Sequence, residues 1–481
     1  MGALTFTADR PCASVGSTVT LGALRGLAER LAIIRGSNIL VKSSTHGTQP
    51  PAAAAPPVAR SVRRVLAFGA GALLVLVVCA ALYQWWSRTH VLPPIRLGLL
   101  HSQTGAMAFA ESAMIDGEVM AIEEVNAAGG LLGRRVEAVV ADGRSDWPTF
   151  AAEAERLITQ EHVVTVVGCW TSASRKTVKP VFERHSHLLI YPMAYEGLEQ
   201  SPNIIYIGAA PNQQILPALK WGLDHRGPRI FLVGSDYVWP HAINAIMKDH
   251  LHPLGGQLVG EEYIFFGSAN VAAAVAAIKA ARPDVIFSSI AGDSNGPFYH
   301  ALRAAGVDAT VSPVVSFSIG DSEVQSFPIA DLAGQFVAYN YFESIDTPAN
   351  KAFLQRFRAR YGADRQASDP TEAGYFAVHL WAHAVRAAGT TDTLTIRDAM
   401  LSQSFEAPEG IVSVDRQTQH TWRPVSIGQI TPSGKIDLVW SAARPIRPVP
   451  YPDSRTPAQW EAFLTELYQR WGNTWSNPAE Q

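Results

Sequence analysis

His379 and His383, in the segment HLWAH, stand four residues apart, the spacing of two zinc ligands on one helix face. A zinc protease needs Glu directly after the first of them. Leu380 stands there instead, so packing along a helix face is the reading for both. His185 and His187 flank Ser186 in a link between a helix and a strand. The chain has no G-x-S-x-G elbow and no Walker loop. Neither an enzyme nor a metal or cofactor is expected. Binding chemistry is better represented, and it sits in short loops that follow apolar runs. Ser102 follows IRLGLLH, and Trp170, Thr171 and Ser172 follow HVVTVVGC. Tyr191, Met193 and Ala194 lie in HLLIYPMAYEG, Tyr237 follows RIFLVGSD, and Asp293 lies in AGDSN. These loops offer hydroxyls, aromatic rings and one acid, and helix N-termini just downstream add backbone N–H donors. That set suits a small, neutral, polar ligand held by directional hydrogen bonds. Each residue also has a plainer reading. Trp170 is a packing residue by type. Asp293 is placed to cap a helix, as are Ser172 and Ser174 for a helix starting near Lys176.

The elements that must position these loops alternate regularly. Apolar or β-branched runs at Ile95–Leu100, Arg135–Val140, His162–Gly168 and His187–Tyr191 read as strands. Helical patterns at Gly117–Ala128, Phe150–Gln160 and Lys176–Arg184 separate them, the first stopping at Gly129-Gly130. The alternation restarts after Pro211. Strands are expected at Arg229–Val233, Gln257–Ile264, Asp284–Ser289 and Val311–Ser316. Helices are expected at Gln214–Leu223, His241–Leu251, Val271–Ala281 and Pro297–Ala305. Strands alternating with helices mean βαβ units, an α/β fold with two doubly wound parallel-sheet lobes. Ligands bind such sheets beyond the carboxyl ends of their strands, so two facing lobes make a ligand cleft.

The 481 residues include 39 Lys+Arg and 42 Asp+Glu, a net charge of −3, which gives no basic excess for nucleic acid. A hydrophobic content of 47% excludes a fully disordered chain, and three Cys do not make a disulfide scaffold. Val65–Trp86 carries no charge. Arg60, Arg63 and Arg64 precede it, and Tyr83, Trp85 and Trp86 stand at its far end. This reads as one transmembrane helix anchoring the chain, with its N-terminal side in the cytoplasm and the body on the periplasmic, extracytoplasmic side. A signal peptide cleaved near Ala80 and Ala81 is the alternative. A lipoprotein box ending at Cys79 is disfavoured by Val78 before it. The span with its flanks takes residues 60–88. Residues 1–59 read as a disordered cytoplasmic tail or an over-extended start. In the C-terminal tail, residues 451–481, an amphipathic helix is expected at Ala458–Trp471, with Trp460, Phe463, Leu464, Leu467 and Trp471 on one face. Docking on a lobe is favoured over a contact with a partner or membrane.

The stretches GCWTSASRK, YEGLEQSPNIIYIGAAPNQQ, FLVGSDYVWP, AGDSN, YFESIDTPANK and APEGIVSV resemble the urea-binding proteins of bacterial ABC transporters, in the wider family that includes an amide sensor. The resemblance covers roughly residues 94–450. It implies a type I periplasmic binding fold, with lobe 1 at about 94–211 and 342–412 and lobe 2 at about 212–341 and 413–447. It also implies three hinge crossings, near Ala210, Asn340 and Ser413. It further implies a pocket built from Trp170, Thr171, Ser172, Tyr191, Met193, Ala194, Tyr237 and Asp293, with Ser102 pointing inward. Urea binders have Gln where this chain has Ala194, which opens space and removes one amide group. The implied function is capture of urea or a short-chain amide for delivery to an ABC permease. The alternative is a membrane-anchored sensor that passes cleft closure to a separate signalling partner.

Overall fold

A computed structural model describes residues 68–82, 92–442 and 444–478. Residues 68–82 are helical, with exposed apolar side chains such as Phe68 and Leu76. They belong to a unit separate from the body, Ser87–Gln481. The described stretch covers about 22 Å at 1.5 Å per residue, against a hydrocarbon core of roughly 30 Å. Among the described residues no helix is long and apolar enough to cross a membrane. The remainder of the expected span at 65–86, like residues 1–59, lies outside the described residues.

The body holds the expected α/β layers. Five parallel strands make the first sheet: β1 (Ile95–His101), β2 (Val136–Asp142), β3 (Thr165–Gly168), β4 (Leu189–Tyr191) and β5 (Ile204–Tyr206). Their order is β2-β1-β3-β4-β5. Alternation along β1 serves two cores. Ile95, Leu97 and Leu99 meet the helices Ala108–Ala127 and Asp369–Ala388 on one face. Leu100 meets Trp147–Thr159 and Ser172–Arg184 on the other. The second sheet contains β6 (Arg229–Ser235), β7 (Gln257–Ile264), β8 (Val285–Ser289), β9 (Val314–Ser316) and β10 (Phe336–Tyr339). A three-stranded antiparallel sheet follows, made of β11 (Ser404–Ala407), β12 (Gly410–Val414) and β13 (Thr421–Trp422). The chain then returns to the second sheet as β14 (Ser426–Ile430) and β15 (Ile436–Ser441), both antiparallel to their neighbours. That sheet runs β15-β14-β10-β9-β8-β6-β7.

Three differences from the sequence reading have local causes. The first helix starts at Ala108, nine residues ahead of Gly117, because the loop after β1 is short. Strand β3 starts at Thr165, since His162 adopts φ +51° and turns the chain. The third hinge crossing is not near Ser413, which pairs with Trp422 and Ser404 inside the three-stranded sheet. It lies at Arg423–Val425, between β13 and β14. The tail helix docks on a lobe, as favoured. It spans Pro457–Arg470, is capped by Thr456 and buries Trp460, Leu464 and Leu467.

The three crossings are tied to one another. Asn340 Nδ2 donates to Gln213 O in the first crossing at 3.1 Å and to Pro424 O in the third. Gln213 Nε2 donates to Thr421 O at 2.9 Å. Asp369, in the first turn of helix Asp369–Ala388, accepts from Asn340 N (3.1 Å) and Tyr341 N (2.9 Å) with one oxygen. Arg423 Nη2 donates to that same oxygen at 3.1 Å. Arg423 is fully buried and also bonds Glu409 (Nε–Oε1 2.8 Å) and Glu372 (3.3 Å). One guanidinium thus serves three buried carboxyl groups. Burial pushes the pKa values of Asp369, Glu372 and Glu409 upward against the pull of Arg423.

Arg423→Met strands three carboxyl groups in the interior and is expected to cost about 3–5 kcal/mol of stability. Carboxyl groups whose folded pKa is raised bind protons before the unfolded chain does. Their stability contribution is therefore lost as pH rises through the folded pKa. The variant's deficit in a denaturant titration is expected to be smaller at pH 5 than at pH 8. An equal deficit at both would show that the carboxyl groups are not the source.

Candidate functional site

The loops at the carboxyl ends of β3, β4, β6, β8 and β9 converge between the lobes. Cys169 starts the loop after β3 in the left-handed region (φ +66°), and its N–H donates to Leu100 O at 2.8 Å. That turn sets Trp170 into the cleft. Cys169 itself is buried and its thiol is pushed far up by desolvation, so it stays protonated and unreactive. Thr171 then caps helix Ser172–Arg184, accepting from Ser174 N at 3.0 Å. The helix therefore starts four residues before Lys176, and the capping role expected for Ser172 or Ser174 belongs to Thr171.

A polar network under this loop holds it. Arg175 is fully buried. Its Nη2 pairs with Glu196 at 2.8 Å, its Nε with Glu199 at 3.0 Å, and its Nη1 donates to Ser172 Oγ at 3.1 Å. Ser172 Oγ in turn donates to Glu196. The guanidinium also lies 4.9 Å from the Tyr191 ring centroid and 4.4 Å from that of Tyr195. Tyr191 donates from its hydroxyl to Trp170 O at 2.6 Å. Arg175 and Lys176 hold the Glu199 carboxylate well below the usual range, against the opposing cost of burial.

Two adjoining cavities lie between the lobes. The smaller, about 10 Å³, has room for about one water molecule. Trp170, Ser172, Met193 and Ala194 line it from the first lobe, and Tyr237, Trp239, Ala291 and Ser318 from the second. The larger is about 60 Å³. Its polar lining includes Asp293, Asn295, Ser318 and Glu323, and its apolar lining Met107, Trp170 and Phe327. None of the residues lining either cavity is Lys or Arg. Three buried polar atoms on these residues have no protein partner: the donor Trp239 Nε1 and the acceptors Asn295 Oδ1 and Glu323 Oε1. The other Glu323 oxygen accepts from Gly320 N at 2.9 Å, and burial raises the pKa of this carboxyl. Between the lobes Asp293 N donates to Ala106 O at 3.3 Å. Gly292 adopts φ +61°, and a Cβ there would come within 2.5 Å of Ala106 O.

The structure thus brings together Trp170, Ser172, Met193, Ala194, Tyr237 and Asp293 among the residues expected from sequence. Asp293 lies in a single 3-10 turn, Gly292–Ser294, and its side chain caps no helix. Thr171 and Tyr191 stand behind the lining, as cap and support. Ser102 does not line either cavity, contrary to expectation. Its N–H donates to Glu111 Oε2 at 2.5 Å, and its Oγ accepts from Ser145 N at 3.0 Å. Trp239, Asn295, Ser318 and Glu323 were not expected. Trp239 and Asn295 lie within motifs already singled out. Ser318 follows β9, where the rule that strand ends carry the site applies. His379 faces Glu124 Oε2 at 3.2 Å and stacks on Phe405, a packing role on its helix. His383 packs edge-on to Phe405.

Behind Ser102, His101 Nε2 bonds Glu118 at 2.9 Å, while its Nδ1 lies 3.9 Å from Glu111 Oε2. All three side chains are buried. Burial pushes Glu111 up to about 7, and the two carboxyl groups raise His101 against its own desolvation. Both groups bind protons more tightly folded than unfolded, so stability falls as pH rises through 7. Glu111→Gln is expected to remove about 1 kcal/mol of the decline between pH 6 and 8. Melting temperatures across that range check this, and parallel curves for the two proteins would reject it.

Residues 95–457 match the family described as periplasmic binding protein domain. The leucine-, isoleucine-, valine-, threonine- and alanine-binding protein of Pseudomonas aeruginosa is 24% identical over 333 residues, covering 67% of this chain and 86% of that one. A shorter match, 32% identical over 114 residues, is to limonene hydroxylase of Geobacillus stearothermophilus; it covers 24% of this chain and only 21% of that protein. The solute-binding protein of an ABC transporter from Rhodopseudomonas palustris, solved with 3,4-dihydroxybenzoic acid, superposes with a TM-score of 0.68 at 19% identity, covering 74% of this chain and 99% of that one.

Proposed function

The chain belongs to the periplasmic binding protein family, and from that premise we propose that it captures urea or a short primary amide outside the cytoplasm and delivers it to an ABC permease. One observation carries the ligand class: the cleft holds an unpartnered donor, Trp239 Nε1, in its smaller cavity, and unpartnered acceptors, Asn295 Oδ1 and Glu323 Oε1, with Asp293 in the adjoining larger one. An amide presents the complement, a carbonyl oxygen and an NH₂ group. Buried groups left unpaired are costly, so a ligand that satisfies them is favoured strongly. Size and charge point the same way. A single benzene ring occupies a cavity of about 150 Å³, well above the 60 Å³ here. A carboxylate ligand would meet acids without a Lys or Arg in the lining. Ala194 lines the smaller cavity and leaves there the space of about one water molecule, which Gln would fill. The basic-flanked apolar run at 65–86 supports tethering of the body to the membrane.

Thermal shift with urea, acetamide, propionamide, leucine and 3,4-dihydroxybenzoate tests this reading, because a ligand bound only to the folded state raises the melting temperature. The amides are expected to stabilise the protein and the two acids are not. The reverse order would overturn the proposal. Asp293→Ala is expected to weaken amide affinity at least about tenfold, the loss of one charge-assisted hydrogen bond. Unchanged affinity in calorimetry would remove Asp293 from the site.

A further inference from the structure

The chain does not end with the binding fold. Arg455 makes a two-pronged pair with Asp249, both contacts 2.7 Å, and helix Pro457–Arg470 then packs against helix Val238–Leu251 of the second lobe. After Trp471 the chain turns back to the edge of the cleft. On the second lobe, Val238 N donates to Trp475 O at 2.9 Å and Asn477 N to Asp236 O at 3.0 Å. Asn477 Nδ2 also donates to Asp236 Oδ2 at 2.6 Å. Asp236 and Val238 flank Tyr237, which lines the smaller cavity. On the first lobe, Trp147 Nε1 donates to Ser476 Oγ at 2.9 Å, and Lys176 Nζ lies 5.1 Å from the centre of the Trp475 ring.

We propose that Trp475–Ser476–Asn477 is a strap that holds the two lobes closed in the absence of ligand. The asymmetry of its contacts supports this. Main-chain bonds and the Asp236 pair fix it to the second lobe. Among the described residues, its polar contacts with the first lobe are two, both through side chains: one hydrogen bond and one cation–π pair. Those two must break when the lobes part, while the others travel with the second lobe. Residues 458–481 lie beyond the family match. Two contacts of this kind shift an equilibrium by about tenfold together.

The test is a distance measurement on ligand-free, full-length protein. Spin labels at Glu137→Cys and Lys279→Cys, both exposed, are introduced with Cys12 and Cys79 replaced by Ser. Pulsed electron resonance is expected to give one short distance in the parent. Ser476→Ala removes the acceptor of the Trp147 N–H, Trp475→Ala removes the cation–π contact, and the double variant removes both first-lobe contacts. A longer distance is expected to appear in each, more in the double variant. An identical distribution in parent and variants, or a parent already fully open, overturns the strap. Because no ligand is present, failure here is separable from failure of the amide reading.

Discussion

The fold turns on a shortage of positive charge. At the crossing of three chain segments, one buried guanidinium, Arg423, faces Asp369, Glu372 and Glu409. The Asp369 oxygen that it meets also receives two main-chain N–H groups from the second crossing. Helix Asp369–Ala388 is therefore fixed to the second and third crossings through one carboxylate at its N-terminal end. Asn340 ties the second crossing to the first and the third. Hydrogen bonds between the crossings are added to the buried apolar side chains there, among them Ala210, Tyr341 and Val425. These bonds keep the register of each segment because every partner is specific.

The cleft floor repeats this arrangement on the first lobe. Arg175 is buried against Glu196 and Glu199 and between two tyrosine rings. It lines neither of the two cleft cavities. Its work is positional: it holds Ser172 by hydrogen bonding, and Tyr191 fixes the carbonyl of Trp170. The second lobe supplies the groups that remain unpaired, Trp239, Asn295 and Glu323. Within the cavity linings, then, the first lobe leaves no buried polar atom without a partner and the second leaves three. Ligand-dependent closure needs that difference, since the unpaired groups are the ones that gain from a new partner.

Much of this was legible in sequence, for physical reasons that also mark where legibility stops. The alternation of β-branched runs and helical patterns encodes parallel strands directly, and β7 begins and ends where its residues indicate. Site residues beyond strand ends followed from the same pattern. The antiparallel strands β11–β15 were not read, because they are only two to six residues long and offer too few alternating positions to set a period. The third crossing was misplaced for this reason, Ser413 being committed to a local sheet. Ser102 was expected in the cleft, yet Glu111, nine residues further on, holds its main chain from inside a helix. Glu323 was invisible because its role depends on a capping turn leaving one oxygen over.

Gly292 has a consequence for timing. Its main chain meets that of Ala106 so closely that even one methyl group would hold the lobes apart. The lobes are in backbone contact beside cavities of 10 and 60 Å³, and the larger of these meets solvent past Phe109 and Asp293, both exposed. A contact between two main chains cannot swing aside as a side chain can, so widening that opening requires the lobes themselves to part. Affinity and exchange rate become separable quantities, the first written in the cleft lining and the second in the hinge.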